Sequence, residues 1–329
     1  MWLNIFTVFS FCFLLLFPCS NCFSQAKEEK EERPLEVVEQ LNHKPNMQLG
    51  LFSGYDSNVN LDGKRKGDGF QEFLFYLKFK KPLKKGLEFN MRYALDYLNY
   101  NEFSDASSLL NRLIFEINKQ ISIFKIGTGY DFSYLFYPNY EEGDFYFHKG
   151  FFYIGNNLTE KIYHQLKVCY GIKDYLDGKA QADTLGSFQE KDRLDRRQQL
   201  EYSLKYNYNR DLTVRLKGGY SVNNSNDRYL DYYDYKSPEV SCGFDYKIKP
   251  NLYLLLDYSY QRKNYKGRTV TSQTYKQEDN LYSANLGFLY FVNKRNALSV
   301  KYTYRENASN DSLSEYAENV ITCGWQRYF

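Results

Sequence analysis

Residues Leu87 to Tyr100 read LEFNMRYALDYLNY. Leu87, Phe89, Met91, Tyr93, Leu95 and Tyr97 are apolar or aromatic, and Glu88, Asn90, Arg92, Ala94 and Asp96 stand between them. A helix, repeating its faces about every 3.6 residues, would mix the two sets, whereas a strand sends alternate residues to opposite faces. The run is also longer than the roughly five or six residues usual in soluble sheets. What each face meets is decided by the rest of the chain.

The same alternation recurs from Met47 onward. Phe73, Phe75, Leu77 and Phe79 alternate with Glu72, Tyr76, Lys78 and Lys80. Ile126, Thr128, Tyr130, Phe132 and Tyr134 alternate with Lys125, Gly127, Gly129, Asp131 and Ser133, and Leu212, Val214 and Leu216 with Thr213, Arg215 and Lys217. About fourteen such segments are present, the even number expected of a bacterial barrel. Their connectors form two sets. Short ones are 80–86, 118–120, 209–211, 249–251 and 293–296; long polar ones are 57–68, 176–194, 266–277 and 307–315. Short turns at one end and long loops at the other are the plan of an up-and-down transmembrane barrel.

That plan explains Leu87 to Tyr100. In hydrocarbon every backbone N–H and C=O needs an internal partner, which only helices and closed sheets supply. The mature chain offers no apolar run long enough for a membrane helix, so a closed sheet is left: apolar parity toward lipid, charged parity toward a wet interior. Arg or Lys at mid-depth on the lipid side would cost roughly 2–4 kcal/mol, which confines charge to one parity. The mean hydropathy of -0.64 follows, since half of each strand sees water. The 34 Tyr and 26 Phe fit aromatic girdles at the two membrane surfaces. A soluble sandwich would instead turn its apolar face inward and favour Val, Ile and Leu.

The N-terminus sets the compartment. Residues 5–17 (IFTVFSFCFLLLF) are apolar but short for a membrane span, and small and polar residues follow. We read 1–24 as a cleaved signal peptide, 25–46 as a charged periplasmic lead-in and 47–329 as the barrel. Cys19 and Cys22 leave a lipidated alternative open. Cys169, Cys242 and Cys323 are odd in number and far apart, so no disulfide framework follows. A formal net charge of +3 indicates no nucleic-acid partner.

Two resemblances add to this reading. The chain ends in GWQRYF, with Ile321, Cys323, Trp325 and Phe329 on one parity. This resembles the C-terminal strand signal of bacterial outer-membrane proteins, with Arg327 where an aromatic is common, and it implies the barrel assembly machinery as a partner through Phe329. The GYDSNVN element at Gly54 to Asn60 resembles the opening of the barrel domain in surface lipoprotein assembly modifiers. Membership would imply help in moving lipoproteins to the cell surface. Those proteins carry a helical-repeat domain before the barrel; here the expectation is a barrel without it, and no site residue carries over.

Function is sought first in the interior. Glu88, Arg92, Asp96, Arg112, Glu116, Lys125, Asp131, Arg215, Lys217, Asp245, Asp257, Lys301 and Arg305 fall on the charged parity and are the pore-lining candidates. If paired they narrow the bore; if hydrated they bias ion passage. At the long-loop end, 134–147 and 228–237 bring aromatic and acidic residues together, which fits a girdle or a sugar- or peptide-binding rim. The mature histidines, His43, His148 and His164, accompany no nucleophile motif, so the expectation is no enzyme, no metal and no cofactor. The sequence predicts an outer-membrane channel for small solutes, with lipid as its surroundings. Protein export to the surface, or an adhesive or structural role for the loops, are the alternatives.

Overall fold

The computed structural model describes residues 47–271 and 273–329. The expected signal peptide over 1–24 and lead-in over 25–46, with Cys19, Cys22 and His43, lie outside them. The strands are β1 (Met47–Asp56), β2 (Asp68–Pro82), β3 (Leu87–Tyr100), β4 (Ser108–Ile121), β5 (Phe124–Phe136), β6 (Phe145–Thr159) and β7 (Ile162–Gln181). They continue as β8 (Phe188–Asn207), β9 (Leu212–Ser225), β10 (Tyr235–Lys249), β11 (Leu252–Thr269), β12 (Lys276–Phe291), β13 (Asn296–Ser309) and β14 (Tyr316–Tyr328). Each pairs antiparallel with its sequence neighbours, and β1 pairs with β14, closing a fourteen-strand barrel. Closure leaves no sheet edge, so the ladder satisfies its own backbone groups where no water is available.

Register fixes the two faces. Leu87↔Lys119 and Phe89↔Ile117 put the odd residues of β3 and β4 on one side, and Arg92↔Ile114 puts the even ones on the other. The first side is the outer wall. Leu51, Phe73, Ile117, Val168, Leu200, Leu216, Val240 and Val300 all project from it exposed. A band of exposed Leu, Val, Ile, Phe and Tyr around a closed sheet is what acyl chains require and water disfavours.

Connector lengths differ from the sequence reading at three places. The turn expected at 118–120 falls three to four residues later, at 122–123, because β4 pairs through Ile121↔Phe124. The loop expected over 176–194 is mostly strand: β7 and β8 are both 20 residues long and leave only 182–187 between them. Part of 266–277 likewise belongs to β11 and β12. A tilted strand crosses hydrocarbon in roughly 9–11 residues, so the β7–β8 hairpin stands well clear of the membrane. Its polar residues pair across the hairpin, as Lys179↔Asp192 does, which is why polarity there does not signify a loop. At the opposite end the β2–β3 turn is tight, with Lys85 and Gly86 at φ of 60° and 72°.

The C-terminal strand lies where its outward parity predicts. Ile321, Cys323, Trp325 and Arg327 alternate with inward Thr322, Gly324, Gln326 and Tyr328. The Arg327 guanidinium stacks over the Phe329 ring at 5.1 Å, and the Phe329 amide donates to the Met47 carbonyl at 2.9 Å. Met47, Phe329 and the short turns therefore share one end of the barrel.

Candidate functional site

The inner wall carries all the pore-lining candidates. Glu88, Arg92 and Asp96 come from β3, Arg112 and Glu116 from β4, Lys125 and Asp131 from β5. Arg215 and Lys217 come from β9, Asp245 from β10, Asp257 from β11, and Lys301 and Arg305 from β13. Most are joined across neighbouring strands. Arg112 donates two hydrogen bonds to Asp131, at 2.9 and 2.7 Å, and Lys149 Nζ lies 3.0 Å from the same carboxylate. Arg215 bridges Asp245 and Asp257 at 2.8 and 3.1 Å. Lys217 lies 3.1 Å from Glu201 and 3.5 Å from Glu239. Arg92 faces Glu116 at 3.7 Å, Lys80 meets Glu88, and Arg305 meets Glu318. Asp96 and Lys301 stand on the same wall, opposite Leu74 and Gly287.

Solvent reaches this wall unevenly. At mid-depth and toward the periplasm the side chains of Lys217 and Arg92 are 34% and 28% exposed. At the outer end Asp56, Asp195, Asn223, Gln277, Asn307 and Glu318 are no more than 1% exposed. Loops fold onto that end and the buried acids hold them. Asp56 accepts from the Asn58 amide and the Tyr100 hydroxyl, and Asn58 donates to the carbonyls of Asp62 and Ala317. Asp68 accepts the amides of Glu102 and Phe103, and Asp227 that of Tyr232. A buried amide without a partner costs about 1–3 kcal/mol, so each clasp fixes its loop. The outer end is thus tightly covered and the charged wall at mid-depth partly exposed, while Leu289, Phe291, Ala297 and Tyr328 form a second buried cluster at the short-turn end.

The aromatic residues expected in the girdles also line the inner wall: Phe145, Phe147, Phe151, Tyr153, Tyr175, Tyr235 and Tyr265 lie on the inner parity. Cations stack on them. Lys173 Nζ is 3.9 Å from the Phe145 centroid and 4.5 Å from that of Tyr175. Arg193 stacks on Tyr233 and Tyr175 at 3.6 and 4.6 Å, and Lys167 on Phe151 at 4.6 Å. Burying a cation against a ring face returns part of its lost hydration. The available signal was the loss of period two in β6, FYFHKGFFYIGNNLT, where both parities are aromatic. The girdle survives on the outer wall: Tyr134 and Tyr146 stack at 4.8 Å and Phe132 and Tyr146 at 6.0 Å.

Glycines make room for these rings. A Cβ on Gly129 would come within 2.3 Å of the Phe151 ring and of the Phe115 carbonyl, and one on Gly127 within 2.4 Å of Tyr153. Gly129→Val is therefore expected to destabilise the barrel by about 1–3 kcal/mol through overpacking, read from urea unfolding in lipid vesicles. Gly150, which has nothing within 4 Å of its Cβ position, serves as the control and should tolerate alanine with little change.

The Tyr137 and Tyr140 rings pair at 6.4 Å, and the Tyr137 amide donates to Asp144. Burial, with the Asp144 carboxylate nearby, pushes the Tyr137 hydroxyl up to about 12. His148 and His164 sit on the outer wall against the hydroxyls of Tyr130 and Tyr202.

A closed sheet with a lipid-compatible exterior and a charged interior defines an outer-membrane β-barrel of porin-like build. Known proteins agree in kind. Residues 234–327, which run through β10 to β14, match the family model described as "Putative beta-barrel porin 2". The trimer form of OmpT, an outer membrane protein of Vibrio cholerae, is 10% identical; the match covers 86% of this chain and 98% of that one, with a TM-score of 0.50. An anion-selective porin from Comamonas acidovorans is also 10% identical, with 87% and 100% covered and a TM-score of 0.49. At such identity the likeness is one of fold. No curated protein matches the chain in sequence.

Proposed function

We propose that this barrel is a channel for passive or selective passage of small hydrophilic solutes across the bacterial outer membrane. The observation that carries the reading is the partly exposed, charged inner wall at mid-depth and below, where the side chains of Lys217 and Arg92 are 34% and 28% exposed. Hydrophobic packing would fill a purely structural barrel more economically, whereas rings of hydrated charge bias and admit polar solutes. The pore-lining role belongs to Glu88, Arg92, Asp96, Arg112, Glu116, Lys125, Asp131, Arg215, Lys217, Asp245, Asp257, Lys301 and Arg305, and the clasped outer end sets the size limit. The mature chain reaches the membrane through its signal peptide, and the strand ending at Phe329 engages the assembly machinery.

The experiment is conductance of the detergent-purified, heat-modifiable protein in planar bilayers, with liposome swelling over a panel of sugars and amino acids. Stepwise conductance and size-limited swelling are expected; a folded barrel that passes neither overturns the channel. The export reading rests on Gly54 to Asn60, where Asp56 and Asn58 are engaged in closing the outer end. It requires loss of a surface lipoprotein on deletion, with permeability unchanged.

A further inference from the structure

Charge in the connectors is sorted between the two ends of the barrel. The seven at the long-loop end hold twelve acidic residues and only four basic ones, Lys64, Arg65, Lys66 and Arg228. The six at the short-turn end reverse this, with Lys84, Lys85, Lys161, Arg210, Lys294 and Arg295 against Glu160 and Asp211. All six of these bases are exposed. The strand ends add to the excess: Lys81, Lys119, Lys249 and Arg327 take the outward parity, opposite Phe89, Leu87, Leu252 and Leu49. Among the described residues no acid stands on the outward parity at this level, and Glu88 faces inward and pairs with Lys80. Each short turn also carries or adjoins an exposed apolar side chain: Leu83, Ile123, Leu158, Tyr208, Ile248 or Val292. The densest stretch surrounds the seam between β1 and β14. There the Arg295 carbonyl accepts the Tyr328 amide at 2.8 Å and the Met47 carbonyl that of Phe329 at 2.9 Å. Lys294, Arg295, Arg327, Lys81, Lys84 and Lys85 therefore form one arc of the rim. A terminal carboxylate at Phe329 would leave that excess in place.

We propose that the short-turn rim is a docking surface for anionic glycerophospholipids, with the arc from Lys294 through Arg327 to Lys85 as its main contact. The inference rests on the barrel spanning a membrane and not on passage through it. Charge complementarity selects the lipid. Bases just beyond the apolar band lie at the depth of headgroup phosphates, where each contributes about 1 kcal/mol near an anionic surface. Long Lys and Arg stems let the charged ends reach those phosphates from the wall. Leu83, Val292 and Phe329, all exposed, enter the acyl boundary beside them, the combination of apolar anchor and base found in interfacial segments. The long loops, rich in acids, repel the same headgroups.

The test places the mature protein in phosphatidylcholine vesicles at about 0.1 M salt, where the Debye length is about 10 Å. Spin-labelled phosphatidylglycerol or phosphatidylcholine is added, and electron paramagnetic resonance reads the fraction of each label held at the protein. Phosphatidylglycerol is expected to associate about fivefold more strongly, the equivalent of about 1 kcal/mol. Raising the salt to about 1 M, where the Debye length falls to about 3 Å, should remove most of this preference. Lys84→Gln/Lys85→Gln/Lys294→Gln/Arg295→Gln should bring the two lipids close to parity, with heat-modifiability confirming a folded barrel. Lys84→Gln/Lys85→Gln, confined to one exposed turn, should give a smaller loss in the same direction. Lys64→Gln/Arg65→Gln/Lys66→Gln, at the other end, should leave the preference unchanged. Equal association of the two lipids with the parent overturns the inference, whether water or the charged residues 25–46 of the chain satisfy these cations. A preference that survives removal of the four bases overturns the assignment to this arc, and one that ignores salt overturns its electrostatic origin.

Discussion

Leu216→Arg is expected to destabilise the folded barrel in a bilayer by roughly 2–4 kcal/mol, the cost of a guanidinium at the midplane. Leu216 is the fifth residue of β9, about halfway through a crossing of roughly 9–11 residues counted from the short turn, and is 48% exposed on the outer wall, beside Leu204 of β8 and Cys242 of β10. Its chain neighbour Lys217 lies at the same depth and carries a full charge, yet faces Glu201 and Glu239 inside. One residue of displacement along the strand thus exchanges lipid for water, as a period of two requires. The measurement is equilibrium unfolding in urea from vesicles, with Lys217→Ala as the matched change on the other face. Lys217→Ala should cost well under half as much, because its partly exposed ion pairs contribute only about 0–1 kcal/mol. If Leu216→Arg unfolds at the same urea concentration as the parent, the outer wall does not face hydrocarbon.

Asp131→Ala should cost about 3–5 kcal/mol, the range for removing one partner from a buried ionic cluster. Asp131 is only 3% exposed and accepts both arms of Arg112, with Lys149 as a second cation. Its loss leaves two cations facing each other across one strand, partly shielded from water. The partner substitution is informative: Asp131→Ala/Lys149→Met removes one of the stranded charges and should recover part of the stability. Equal stability of Asp131→Ala and parent would mean that water hydrates the pair freely, and the mid-depth wall would then be open at this point too.

Leu87 to Tyr100 shows how far alternation reads. Odd and even residues were separable at sight, the outward set faces lipid as expected, and the strand ends where the reading placed it. The inward set of charges was equally legible, since period two alone assigns parity. Partners were not. Whether Arg112 meets Asp131 or some other acid depends on register, and register is fixed by turns such as 122–123, which lies beyond the turn expected at 118–120. The inner aromatic wall was hidden for a similar reason. Phe151 and Tyr153 have room on the inner face only because Gly129 and Gly127 stand beside them on β5, and pairing of positions more than twenty residues apart is invisible in a local pattern.

Alternation along the chain is enough to give the architecture, because a closed sheet is the one arrangement that satisfies the backbone of alternating strands in hydrocarbon. It also determined which side chains turn inward. Closure and register settle which of those charges neutralise one another, because cross-strand neighbours are set by pairing rather than by composition. The covered outer end was decided there as well: Asp56, Asp68 and Asp227 are buried by the loops they clasp, through contacts that leave no local pattern in the chain.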